Sequence, residues 1–119
     1  MEISFEEQIK AITEEIRDQV EENIESGLNK VKKKGAADLR AKSPKKYGEY
    51  AKGWSGQSTG KRGIVIYNKT APGLTHLLEN GHVGKNQHGK WGRVAPVKHI
   101  EPVEKELIEV FEEELQKDL

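Results

Sequence analysis

I-Y-N-K-T-A-P-G-L-T-H-L-L-E-N-G-H, residues 66–82, holds three structural signals in one short run. Ile64, Val65, Ile66 and Tyr67 have the β-branched and aromatic character of a strand and lead into it. Pro72 suits the first turn of a helix, where its fixed φ is pre-set and its missing N–H is no loss. Leu74, Leu77 and Leu78 stand at i, i+3 and i+4, on one helical face, and read as a core anchor. Asn80-Gly81 takes left-handed geometry readily and should stop the helix. The run predicts a strand, a turn and a short capped helix. Tyr67, Pro72, Leu74, Leu77, Leu78 and Gly81 are its expected structural hub.

Working outward, Tyr50, Lys52 and Trp54 alternate with Ala51, Gly53 and Ser55, which is the period of a strand. Gly56-Gln57-Ser58-Thr59-Gly60-Lys61 reads as a polar turn, and residues 63–67 as the returning strand of a β-hairpin. That turn fails as a phosphate loop. Ser55 stands where the loop needs glycine, Arg62 where it needs Ser or Thr, and a strand follows instead of a helix N-terminus. On the other side, residues 83–93 (V-G-K-N-Q-H-G-K-W-G-R) show no periodicity and predict a flexible cationic loop. Residues 94–100 suggest a short third strand, put at an edge by Pro96.

Two acidic helices flank this centre. Ser4-Phe5-Glu6-Glu7 fits a capping box. Ile9, Ile12, Ile16, Val20, Ile24, Leu28 and Val31 then recur at steps of three and four. Ser43-Pro44 should end the helix, because the residue before proline resists α geometry. A helix over about 5–42 is roughly 55 Å long at ~1.5 Å per residue, more than a domain of this size covers. Part of it should project, and Gly35 marks a kink. The narrow stripe serves as both core face and partner seam. Pro102 opens the last helix, with Val103, Leu107, Val110, Phe111 and Leu115 on its apolar face.

The 119 residues are one domain's worth, with 34% hydrophobic and 34% charged, so the core is thin. No cysteine is present, which removes disulfides, thiol catalysis and zinc-finger chemistry. No stretch approaches the length of a membrane helix, and no secretory leader opens the chain, so a soluble cytoplasmic product is expected. The zero net charge conceals a segregated pattern. Residues 1–28 hold nine acids and two bases, and residues 101–119 hold eight acids and two bases. Between them, residues 29–69 hold twelve bases and two acids, and residues 70–100 hold four bases and one acid. Acidic ends and a basic middle suit charge complementarity within the fold or between copies.

No reactive constellation stands out. A metal hydrolase would draw on His76, His82 and His88, yet Glu79 is the only acid between residues 50 and 100. His76 reads as a helix-face residue and His99 as a residue near the start of the last helix. The expectation is no enzyme, no cofactor and no metal. A small nucleic-acid-binding protein is the alternative, using Lys45, Lys46, Lys61, Arg62, Lys85, Lys90 and Arg93 with Trp91 as a stacking platform.

One set of residues is specific. Ser43-Pro44, Gly48, Tyr50, Gly53-Trp54, Tyr67-Asn68-Lys69, the run from Pro72 to His82, and His99-Ile100-Glu101-Pro102 together resemble the gene-ten-like family of long-tailed bacteriophages. The resemblance covers residues from about 40 to 105. It differs at Pro96-Val97-Lys98, where members carry glycine, arginine and proline before His-Ile. It implies a non-enzymatic virion protein of a phage or prophage, acting in head–tail joining or tail completion. Such a protein is made in the bacterial host cytoplasm and works as a ring of identical subunits. Its implied partners are connector and tail proteins, with non-specific contact to DNA in the channel and none to membrane.

The expected fold is α+β in a single domain, 1–119. It comprises a long N-terminal helix (1–42), a small antiparallel sheet with a hairpin, a short central helix and a basic loop (43–100), and a C-terminal helix (101–119). Lys61, Arg62, Lys85, His88, Lys90, Trp91 and Arg93 form the candidate assembly interface or basic loop.

Overall fold

The unbroken α-period at the N-terminus becomes one helix, α1, Glu6–Lys42, in a computed structural model that describes all residues except 1, 3, 47, 86 and 87. Glu6 and Glu7 in the first turn and Arg40 and Lys42 in the last match the helix dipole. Phe5 is the N-cap and has no side-chain cap bond; Ser4 Oγ only reaches the Glu6 N–H at 3.5 Å, so the expected capping box is not formed. At the other end the Ser43 N–H donates to the Leu39 carbonyl, and extended geometry at Ser43 stops the helix before Pro44.

A short helix, α2, spans Gly48–Lys52, where alternation had suggested strand. Tyr50 and Ala51 are both buried there, and adjacent buried residues fit a helix seated in the core better than one face of a strand. The hairpin follows as β1, Trp54–Gly60, and β2, Gly63–Asn68. Its register pairs Trp54 with Asn68 and Gln57 with Val65, with an irregularity between Ser58 and Gly60. The predicted polar turn is mostly strand, and only residues 61 and 62 turn the chain.

α3, Leu74–Asn80, ends at Gly81, whose φ of 77° is the left-handed geometry expected there. A Cβ at Gly81 would also stand 2.7 Å from the Val94 carbonyl oxygen. The expected cationic loop is largely a second hairpin: β3, His82–Lys85, pairs antiparallel with β4, Trp91–Val94. Residues 86 and 87 of that loop lie outside the described residues. Residues 95–99 are irregular, so the expected third strand over 94–100 is absent. The fold is α+β, with two separate two-stranded sheets in place of one.

α4, Ile100–Leu115, lies along the second half of α1. Two glycines set the approach. A Cβ at Gly27 would sit 3.0 Å from the Phe111 ring, and one at Gly35 would overlap Ile66 and come within 2.8 Å of Leu107. Gly35 therefore marks a contact, and α1 runs on through it as a single helix. Both ends of α4 are pinned by side chains from elsewhere. Asn23 Nδ2 donates to the Leu115 and Lys117 carbonyls at 3.0 and 2.7 Å, satisfying acceptors that a helix C-terminus leaves open.

The core is small. Leu39, Tyr50, Trp54, Leu78 and Val103 are buried together, with Ile66, Ala71, Leu74, Ile100 and Leu107 packed against them. Tyr50, Trp54 and His99 meet edge-on, with ring centroids 5.5–6.3 Å apart. The Trp54 indole N–H donates to Ser43 Oγ at 2.7 Å, so the polar tip of the largest core side chain is satisfied.

Candidate functional site

The opening run distributes its work differently from the pattern of its leucines. Leu78 is buried and Leu74 packs on the core, but Leu77 is 41% exposed and is not a core anchor. At about 100° per residue Leu74 and Leu78 lie about 40° apart, whereas Leu77 lies about 100° from Leu78, at the edge of the shared face. Tyr67 is also a surface residue, because strand alternation puts Ile66 and Asn68 inward and Tyr67 outward. Asn68 is the buried polar centre. Its Nδ2 donates to the Tyr50 carbonyl at 2.6 Å, and its Oδ1 accepts from the Thr70 and Ala71 N–H groups at 3.2 and 2.9 Å. That Asx turn carries the chain from β2 into exposed Pro72 and α3. The legible signal was Asn two and three residues before small polar and apolar positions, ahead of a proline.

Glu79 is the second residue missed. Its carboxylate reaches from α3 to the start of α4 and accepts from the backbone N–H groups of His99, Ile100 and Glu101 at 3.0, 2.9 and 3.0 Å. Pro102, next in line, has no N–H to satisfy, so one carboxylate and one proline settle the whole first turn. Burial alone would raise this carboxyl. The three backbone donors, helped by His99 alongside, outweigh it and hold Glu79 below the ordinary carboxylate range.

His99 completes a buried chain. Its Nε2 meets the Tyr50 hydroxyl at 2.6 Å, while Nδ1 lies 2.7 Å from the Val97 carbonyl and 3.1 Å from Glu79 Oε1. Burial, then the Glu79 charge, pushes the Tyr50 hydroxyl up to about 12. Tyr, His and Glu in contact resemble an acid–base set, but the His99 side chain has no exposed surface. Both ring nitrogens are engaged internally, and the set acts as a clamp joining α2, α3 and α4. Among the described residues no group of three His, Asp or Glu side chains is placed to hold a metal ion, so His76, His82 and His88 form no ligand set. Among those residues, too, no helix is long and apolar enough to cross a membrane.

The seven residues of the candidate basic surface fall on two hairpins. Lys61 and Arg62 sit at the tip of β1–β2, and Arg62 pairs with Glu21 of α1. Lys85, Trp91 and Arg93 belong to β3–β4, with His88 and Lys90 between the strands. Lys85 lies opposite Trp91 in the register and places its ammonium 5.0 Å from the ring centroid. Arg93 leans toward the Asn80 carbonyl at 3.4 Å, and Lys45 bonds the Arg40 carbonyl. The cations are thus dispersed and partly used in holding the fold.

Two apolar surfaces stand out instead. Residues 4–18 are all exposed, so the first turns of α1 stand clear of the body with Phe5, Ile9, Ile12 and Ile16 bare. The molecule measures 90 × 21 × 18 Å, and this arm accounts for part of its length. The second surface is a cleft of about 420 Å³, floored by Leu28 and Val31 of α1 and walled by Ile64 and Ile66 of β2 and by Leu107, Ile108 and Phe111 of α4. No family model, curated protein or solved structure matches the chain.

Proposed function

We propose that the chain is a structural, non-enzymatic component of a phage or prophage virion, acting at the head–tail joint or in tail completion as a ring of identical subunits. The observation that carries this reading is the bare apolar stripe on the projecting arm of α1. A monomeric soluble protein rarely leaves four large apolar side chains aligned in water, so the stripe calls for a protein partner. The motif run shared with the gene-ten-like family supports the choice of partner class. A buried, fully engaged Tyr50–His99–Glu79 set supports a structural role over a catalytic one. Segregated charge supports association between copies, and the basic hairpin tips suit a channel through which DNA passes without being read.

The test is genetic and morphological. Disrupting the reading frame in an inducible phage or prophage should yield DNA-filled heads and separate tails by electron microscopy, with joined particles restored by complementation. Normal yields of joined, infectious particles would overturn the reading.

A further inference from the structure

We infer that the N-terminal turns of α1 from one copy of this chain seat in the apolar cleft of a second copy, between the β1–β2 hairpin and α4. The inference supplies the subunit contact of the ring and rests on that reading for its head-to-tail sense. Its physical basis is separate.

The chain cannot cover its own cleft with its own arm. Leu28 and Val31, on the cleft floor, and Ile12 and Ile16, on the arm, belong to one unbroken helix. A continuous helix does not fold back on itself, so an arm that fills the cleft comes from another molecule. The arm also fits by period. Phe5, Ile9, Ile12 and Ile16 recur at steps of four, three and four, the spacing by which a helix anchors in a groove.

Charge selects the cleft over a second arm. Residues 1–18 hold six acids and two bases, a net of −4, which leaves the rest of the chain at +4. Arm and body attract, whereas arm and arm repel. At about 100° per residue, Lys10 and Arg17 fall on one flank of the stripe, with Glu6 a turn ahead of them, and Glu15 falls on the other. The charged residues that line the cleft are Glu104 and Glu112, both on its α4 wall. An arm lying with Lys10 and Arg17 toward α4 sets its two bases beside those carboxylates. In a closed ring each subunit gives one arm and receives one, so a modest contact is made twice per subunit.

The sequence has no cysteine, which makes the contact easy to map in the full chain. Ile12→Cys and Ile108→Cys chains, mixed and treated with a short bismaleimide, should give the mixed cross-linked pair as the main product. A main product linking two Ile12→Cys chains would overturn the inference in favour of arm–arm pairing. In sedimentation, Ile9→Glu/Ile16→Glu should weaken self-association at least tenfold, as should Ile108→Glu, and combining them should add little, because both remove one contact. These positions are solvent-exposed, so circular dichroism should stay unchanged and separates lost contact from lost fold. Self-association that survives both changes would overturn the contact and leave the ring reading standing. A wild-type chain that stays monomeric at its highest soluble concentration would overturn the contact as well, with the virion reading still decided by particle morphology.

Discussion

The two halves of α1 share one helix, one apolar period and one stripe, and they live in different solvents. From Gln19 onward the helix is progressively buried, through Asn23, Gly27, Val31, Gly35, Ala36 and Leu39. Before that point, from residue 4 onward, every position is exposed. The packed half is not the more hydrophobic in sequence, since its buried row includes two glycines and an asparagine, while the bare half shows Ile9, Ile12 and Ile16. Burial here follows where α4 can approach, not where the largest apolar side chains lie. Glycine admits the neighbouring helix, and asparagine satisfies that helix's last carbonyls.

The sharpest way to break this comparison is in α3, where adjacent leucines repeat the contrast. Leu78→Asp buries an unpaired charge in the core cluster and should abolish cooperative unfolding, measured by thermal melts. Leu77→Asp, at a half-exposed position, should leave a folded chain. Within α1 itself, Leu39→Ala removes a buried core side chain and should cost about 3 kcal/mol in urea unfolding. Ile12→Ala on the arm should fall within about 0.5 kcal/mol of wild type. Equal effects from the two would mean that the arm is packed.

Smaller effects test the polar pins. Glu79→Gln weakens the cap on α4 and should cost about 2 kcal/mol at neutral pH. The folded Glu79 carboxyl titrates below its ordinary value, so its stabilisation is complete above the carboxylate range and fades as pH falls through the folded value. Unfolding measured from pH 7 to pH 3 should therefore show wild type losing its advantage over Glu79→Gln as acid is added. Asn23→Ala should cost about 1 kcal/mol, with amide exchange quickening in the last turn of α4. The matching change on the arm, Gln8→Ala, should alter neither.

Much of the architecture was legible because it rests on local chemistry. The helix bounds over α1, the hairpin ending at Asn68, the stop at Gly81 and the start of α4 near Pro102 all follow from period and backbone preference. α2 was misread because five residues with Tyr50 and Trp54 alternating satisfy a strand's period, while burial of both Tyr50 and Ala51 depends on what surrounds them. The β3–β4 hairpin was missed because glycine-rich, apolar-poor strands carry little pattern, and pairing between residues 82 and 94 appears only when both are placed.

By itself, the sequence determined the two long helices, the return strand of the first hairpin, the short helix of the opening run, the acid–base–acid layout of charge and the presence of more apolar helix than one small body needs. Those are properties of neighbours three or four positions apart. Only the tertiary structure decided that Asn68, Glu79 and His99 are the joints, that Gly27 and Gly35 are contacts, and that the arm of α1 and the cleft beside α4 are left bare. Each of these depends on partners tens of residues away, where the geometry of approach, and not local preference, sets what is buried and what remains to be covered.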